Sequence, residues 1–330
     1  MQIYLLLNTT CNLSCSFCIR GKISEGELRK NEWAEVLSKN EFSDVNLVLT
    51  GGEPSLHSDL SEIIKLSQRY FRSISVNTNG VESNWLGHLQ NRNIHVQISL
   101  DGIADVHNKM RTNGQKDVFS HILETINNLE ANNISYNIST TVGVQNLDNI
   151  QELMHFVSCF RKMKYWKVSP QLPFGCGDLE HCLSINEWNK LVDILVQAST
   201  VPLNIKRYFD FSLLDRFIAK NPERKPNGKI NCGDVRHKLY IYPDLKVYPC
   251  TCLTDFPLGT LQEQSLSEII ASPKSRRFTD YTVNSKSYCS SCKYLPFCNG
   301  GCIGMSYHFF GELGEGDYRC PLLQANRIMS

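Results

Sequence analysis

The chain has 330 residues, enough for one large α/β domain and a smaller one. Its 34 Lys and Arg against 33 Asp and Glu leave a net charge of +1, so no overall field draws it to nucleic acid or to an anionic membrane. No apolar run reaches the ~20 residues needed to span a bilayer, and Met1-Gln-Ile-Tyr lacks the anatomy of an export signal. A cytoplasmic protein is expected, with neither membrane nor nucleic acid as partner. In that compartment its 14 cysteines do not read as a disulfide framework, and those that cluster read as metal ligands.

The first strand is predicted at Ile3–Leu7. Directly after it comes Thr10-Cys-Asn-Leu-Ser-Cys-Ser-Phe-Cys-Ile-Arg20, a C-x3-C-x2-C run formed by Cys11, Cys15 and Cys18. Three thiolates can hold a cubane iron–sulfur cluster while leaving one iron open to a ligand, as catalytic metal sites do. A partial zinc site or incidental core cysteines are the alternatives. Further strands are predicted at Val45–Leu49, Ser73–Asn77, Ile94–Leu100, Ser135–Val142 and Lys164–Ser169. Helices are predicted between them at Asp59–Tyr70, Val118–Ala131 and Asn149–Phe160. In Asp59–Tyr70, Leu60, Ile63, Ile64 and Leu66 nearly keep the spacing of a buried helix face. Strands alternating with helices over short connections imply a parallel sheet with right-handed crossovers. In such sheets chemistry gathers at the carboxyl ends of the strands.

Polar motifs fall at those ends. Leu47-Val-Leu-Thr50 runs into Gly51-Gly52-Glu53-Pro54, where the glycines permit close approach of backbone to a ligand and Glu53 can accept from an ammonium. Asn79 and Gly80 end the third strand. Ser99, Asp101 and Gly102 end the fourth, followed by His107 and Arg111. The guanidinium of Arg111 suits a carboxylate, whereas His107 reads better as a structural residue. Thr140-Thr141-Val142 and Pro170–Gly175 end later strands without a specific signal.

The cysteine triplet, the Gly-Gly-Glu-Pro turn and the Ser-x-Asp-Gly…His…Arg run resemble the radical SAM enzymes, in their peptide-modifying branch. The resemblance implies an α/β fold, a partial (β/α)6 TIM-like barrel. It also implies a [4Fe–4S] cluster on Cys11, Cys15 and Cys18 that binds S-adenosylmethionine and splits it by one electron to a 5′-deoxyadenosyl radical. Phe17 would lie beside the adenine, and Gly51, Gly52 and Glu53 at the amino group. Ser99 and Arg111 would meet the carboxylate, with Asn79 and Asp101 among the cofactor contacts.

A helix is predicted near Ile185–Ala198, then a Pro/Gly/Lys-rich connector at Asn221–Gly228. Beyond it Leu239–Cys250 reads as a β-hairpin turning at Pro243–Lys246. Leu258-Gly-Thr-Leu and a short helix at Ser265–Ala271 follow. The last block is Cys289-x2-Cys292-x5-Cys298-x3-Cys302, with Cys320 beyond. Taken alone, these cysteines could equally hold zinc. They resemble the SPASM domain, a small cysteine-rich α+β extension carrying two auxiliary [4Fe–4S] clusters. By that resemblance Cys289, Cys292, Cys298 and Cys320 hold the distal cluster, and Cys232, Cys250 and Cys302 the proximal one. Cys252 is open between a fourth ligand and a thiol that donates hydrogen to a substrate radical. Leu245 stands where the family's hairpin has a glycine, so the turn is expected to be built differently. The expected division is a core at 1–200, a bridging region at 201–230 and the SPASM domain at 231–330.

The implied function is hydrogen abstraction from a peptide substrate. Crosslink formation in a ribosomally made peptide (C–C, thioether or ether) is expected ahead of epimerisation. A carbohydrate or small-molecule dehydrogenase and a non-catalytic zinc or iron–sulfur sensor are the other readings. Sulfatase maturases of this family carry an aspartate base after the cysteine aligned with Cys250, and Thr251 stands there instead. A flavodoxin or ferredoxin is the expected reductant. The chain begins at its first barrel strand, so a separate peptide-recognition protein is a possible partner.

Overall fold

Along each of the first strands, apolar and polar side chains alternate, and this alternation decides which face of the sheet the helices cover. The structure, a computed structural model, describes residues 1–20, 26–88, 94–221, 223 and 233–329. Six strands follow in parallel: β1 (Gln2–Leu6), β2 (Asn46–Thr50), β3 (Ser73–Thr78), β4 (Ile94–Ser99), β5 (Tyr136–Val142) and β6 (Met163–Pro170). Ile3, Leu5, Leu47, Leu49, Ile74, Val76, Val96, Ile98 and Trp166 point to one face and are buried in a common core with the helices. Gln2, Tyr4, Ser75, Asn77, Gln97 and Lys167 point to the other, the concave inner side. A core facing only outward bends the sheet around a polar lumen, which is the partial barrel expected.

The sheet does not stop at six strands. A two-residue β7 (Leu203–Asn204) pairs with β6, and β8 (Lys238–Ile241) returns to pair parallel with β1. Its hairpin partner β9 (Lys246–Tyr248) and β10 (Gly259–Thr260) complete the order β10-β9-β8-β1-β2-β3-β4-β5-β6-β7. The C-terminal hairpin therefore continues the barrel sheet, with Tyr240 stacked on Tyr4 at 4.8 Å. The stretch expected to be a bridge likewise contains structure, β7 and a helix at Phe211–Lys220 capped by Asp210. The predicted connector at Asn221–Gly228 lies outside the described residues except for positions 221 and 223.

The hairpin turn keeps a left-handed residue, and it is Leu245, at φ 60°. A side chain there is strained, but this one is buried in the core with Val247, Leu258 and Leu261. Its burial, worth roughly 1.5–3 kcal/mol for a leucine, offsets the backbone penalty of about 1–2 kcal/mol. Packing at Leu245 thus holds the turn where the family has a glycine.

Candidate functional site

The strand ends are brought together by backbone contacts that only glycine permits. Gly52 N–H donates to Asn8 O (2.8 Å) and Glu53 N–H to Thr10 O (2.8 Å), laying the end of β2 against the start of the cysteine loop. A Cβ on Gly51 would stand 2.5 Å from Asn8 Oδ1, and one on Gly52 would run into the Thr10 carbonyl and stand 2.7 Å from Thr9 O. The two glycines therefore serve the approach of two chain segments, where the sequence suggested approach to a ligand. Gly52→Ala is expected to destabilise the fold by at least about 2 kcal/mol, the scale of a clash against backbone that cannot move aside. Denaturant unfolding under anaerobic conditions measures it, and an unchanged midpoint would contradict this packing.

Glu53 is buried, and its carboxylate clamps two strand ends. Oε1 accepts from Thr78 Oγ1 (2.7 Å) and Ser55 N (3.0 Å), and Oε2 from Asn79 N (2.7 Å). A carboxylate has about four acceptor sites, which leaves one on Oε2 for an ammonium. Asn79 also donates through Nδ2 to Asn12 Oδ1 (2.8 Å), so it ties the clamp to the cysteine loop.

Across the site, the cysteine loop hangs on the helix at Asp105–Thr112. Ser14 N donates to Arg111 O and Ser16 N to Met110 O, while Cys18 N donates to Cys15 O. Cys11, Cys15 and Cys18 lie within electrostatic reach of one another, and Glu53 and Arg111 both act on Cys11. Burial pushes the Cys15 thiol up to about 12. Metal binding must therefore remove a proton from it.

Arg111 is buried with its Nε donating to Asp101 Oδ2 at 2.6 Å. Its Nη1 stands 3.9 Å from Cys15 Sγ, and its guanidinium carbon 5.4 Å from the Phe17 ring centre. Asp101 is wholly buried, and its other oxygen accepts from Thr141 N (2.7 Å). With one protein donor on each oxygen, Asp101 aims Arg111. His107, buried, accepts from Asp101 N on Nδ1 (3.1 Å), a structural role, and burial holds it neutral. Ser99, half-buried at the end of β4, lies on the same strand face as Asp101. Three contributors went unmarked in the sequence. Asn8 donates to Glu53 O, Asn146 to Asp101 O and Thr141 O, and Arg20 to Thr50 Oγ1. A single buried amide leaves no periodic signal.

The C-terminal cysteines form two sets. Cys289, Cys292, Cys298 and Cys320 line one narrow cavity with Phe209, Phe211 and Asp317. Cys250 and Cys302 act on one another, Cys252 N donates to Cys250 Sγ (3.5 Å), and a Cβ on Gly304 would contact both Cys252 and Cys302. Cys232, expected with this second set, lies outside the described residues. Asp317 joins the sets: it lines the first cavity, accepts from Cys302 N (3.0 Å), and is held by Arg319. Among the described residues, no three His, Cys, Asp or Glu side chains converge closely enough to share a single ion.

Matches to known families bear directly on this pair of sites. The radical SAM superfamily matches residues 5–157, and the SPASM iron–sulfur cluster-binding domain matches residues 232–293. The chain carries a radical SAM domain followed by a SPASM domain. Radical SAM domains imply a [4Fe–4S] cluster and S-adenosylmethionine, and SPASM domains auxiliary iron–sulfur clusters. The chain is 28% identical to a cysteine-type anaerobic sulfatase-maturating enzyme of Clostridium novyi, over 89% of this chain and 85% of that one. It is also 28% identical to the sporulation killing factor maturation protein SkfB of Bacillus subtilis, over 80% of this chain and 63% of SkfB. In fold it is similar to native anSMEcpe with bound AdoMet, with TM-score 0.74, 21% identity and 99% of both chains covered. It is similar too to Streptococcus suis SuiB bound to S-adenosylmethionine, with TM-score 0.77, 16% identity, and 97% of this chain and 77% of that one covered. No helix among the described residues is long and apolar enough to cross a membrane.

Proposed function

We propose that this radical SAM enzyme matures a ribosomally made peptide in the cytoplasm by joining one of its carbons into a C–C, thioether or ether crosslink. The observation that carries the reading is a strand-end cysteine site accompanied by two further cysteine sets, with Cys250 of one following β9 of the same sheet. When bound, the cluster and S-adenosylmethionine supply a radical that takes one hydrogen from the substrate. In the proposed arrangement Cys11, Cys15 and Cys18 hold the cluster. Arg111, aimed by Asp101, and Ser99 meet the carboxylate, the free acceptor site of Glu53 meets the ammonium, and Phe17 flanks the nucleoside. A crosslink releases a second hydrogen as proton and electron. An electron acceptor near the substrate is therefore needed, which gives the SPASM cysteines a purpose. Flavodoxin or ferredoxin is the proposed reductant, and a separate peptide-recognition protein a proposed partner. SkfB supports the peptide substrate by name.

A second reading, conversion of a sulfatase cysteine to formylglycine, is favoured by the Clostridium novyi relative. Against it, Thr251 offers a hydroxyl where a carboxylate base is expected. The test is mass spectrometry after anaerobic turnover, with a peptide encoded beside this gene and a sulfatase peptide as the two substrates. Loss of two hydrogens from the former supports crosslinking. Deuterium uptake there without net loss indicates epimerisation, and an aldehyde on the latter overturns the assignment in favour of sulfatase maturation.

A further inference from the structure

The concave face of the sheet encloses a cavity of about 390 Å³ to which every strand from β1 to β8 contributes. Its wall is polar, and its charged members are all basic: Lys167, Lys206 and Lys238, with His95 on β4. No Asp or Glu lines it, and among the described residues none of the three lysines has an ion-pair partner. Lys238 Nζ lies 5.4 Å from the centre of the Tyr4 ring. Burial, and then the charges of Lys238 and Lys206, push Lys167 below its ordinary range, so the three groups feel one another. In a chain whose net charge is only +1, three unpaired cations around one cavity are a local concentration that no global excess explains. Like charges held together are unfavourable, and an anion between them relieves the repulsion.

Register places this charge relative to the strand ends. Ser99 on β4 is opposite Ser139 on β5, and Ser139 opposite Lys167 on β6. Lys167 therefore stands level with Ser99, two strand spacings or roughly 10 Å away, on the same face as the cysteine-loop site. Asp101 is only two residues further along from Ser99.

We propose that Lys167, Lys206 and Lys238 bind a carboxylate of the substrate peptide inside the lumen, anchoring a neighbouring carbon toward the strand ends. The peptide part rests on the proposed function; the anion site does not. A lysine ammonium is a compact point charge without the fixed fork of arginine. Three of them accept either a side-chain or a terminal carboxylate.

The test uses the anaerobically reconstituted full chain and three synthetic nine-residue peptide libraries. One carries Asp and Glu at the variable positions with an amidated C-terminus, the second carries Asn and Gln with the same amidated end, and the third is the second with a free C-terminus. Retained peptides are quantified by mass spectrometry. Retention of the first or the third at least tenfold above the second is expected, the winner identifying which carboxylate is bound. The ratio should fall to within twofold for Lys167→Met and Lys238→Met and persist for Lys167→Arg, which keeps the charge and guards against misfolding. Equal retention of all three libraries overturns the anion site while leaving peptide modification standing. In a separate arm, N-acetylglutamate and the uncharged α-amide of N-acetylglutamine are compared by equilibrium dialysis. Preference for the glutamate, lost in Lys167→Met, with no library retained, supports the anion site and removes the peptide reading. No preference in either arm overturns the inference.

Discussion

Cys15→Ala is expected to lower reductive formation of 5′-deoxyadenosine at least 10³-fold, a loss of about 4 kcal/mol in transition-state stabilisation. Cys15 is the thiol most enclosed by the site. Arg111 Nη1 is 3.9 Å from its sulfur, and the flanking Ser14 and Ser16 amides are bonded to the end of the helix at Asp105–Thr112. That anchoring leaves the loop no freedom to offer a replacement ligand. Cys176 lies on an adjoining segment, its backbone N–H donating to Cys18 O. The wild-type chain should carry roughly eight to twelve irons, and the variant about four fewer. Unchanged nucleoside release with unchanged iron would remove the cysteine loop from the chemistry. Stoichiometric zinc in a colourless wild-type protein would do the same.

How well the sequence foretold the site depended on the kind of signal each residue leaves. The six core strands could be placed to within a residue or so, because Ile3, Leu47, Ile74, Val96, Ile138 and Trp166 repeat on one face and turn motifs bound them. The Asp59–Tyr70 helix ends early, at Ser67, because the Tyr70 and Phe71 amides both fold back onto the Ser67 carbonyl. The helix at Lys30–Lys39 carries a readable stripe in Trp33, Val36 and Leu37. By contrast, the Asp105–Thr112 helix buries His107, Met110 and Arg111, so its inner face is largely polar and has no apolar period. Asp101 shows the same limit. An acid beside a motif arginine reads as a ligand contact, and only the structure shows that it bonds Arg111 and the Thr141 amide. The pairing of β8 with β1 joins residues more than two hundred positions apart, and no local pattern encodes it. The lumen lysines are separated in the same way and meet only because the sheet curves.

Cys292→Ala is expected to separate the two halves of the reaction: 5′-deoxyadenosine should still form within about threefold of wild type, while modified peptide falls at least 100-fold. The argument is spatial. Cys292 faces the cavity it shares with Cys289, Cys298 and Cys320, and none of the groups acting on Cys11 or Cys15 belongs to that set. Burial and the neighbouring cysteines push the Cys289 thiol up to about 12, so that sulfur ionises only against a strong Lewis acid. Taking one away should therefore lose the whole distal set of irons, not weaken it by degrees. Asp317 spans the two C-terminal sets through Cys302 N, so some disturbance should reach the proximal cysteines. Toward the cysteine loop, Arg20 feels Cys11, Cys18 and Tyr242, and Tyr242 in turn feels Cys250 and Cys252, so it is the proximal set, not the distal one, that faces the barrel site. Iron analysis, the low-temperature spectrum of the reduced cluster, and nucleoside and peptide yields from one reaction together decide the matter. Parallel loss of nucleoside and product would mean that the SPASM cysteines support the barrel cluster itself, for instance as its route to the reductant, and do not receive an electron from the substrate.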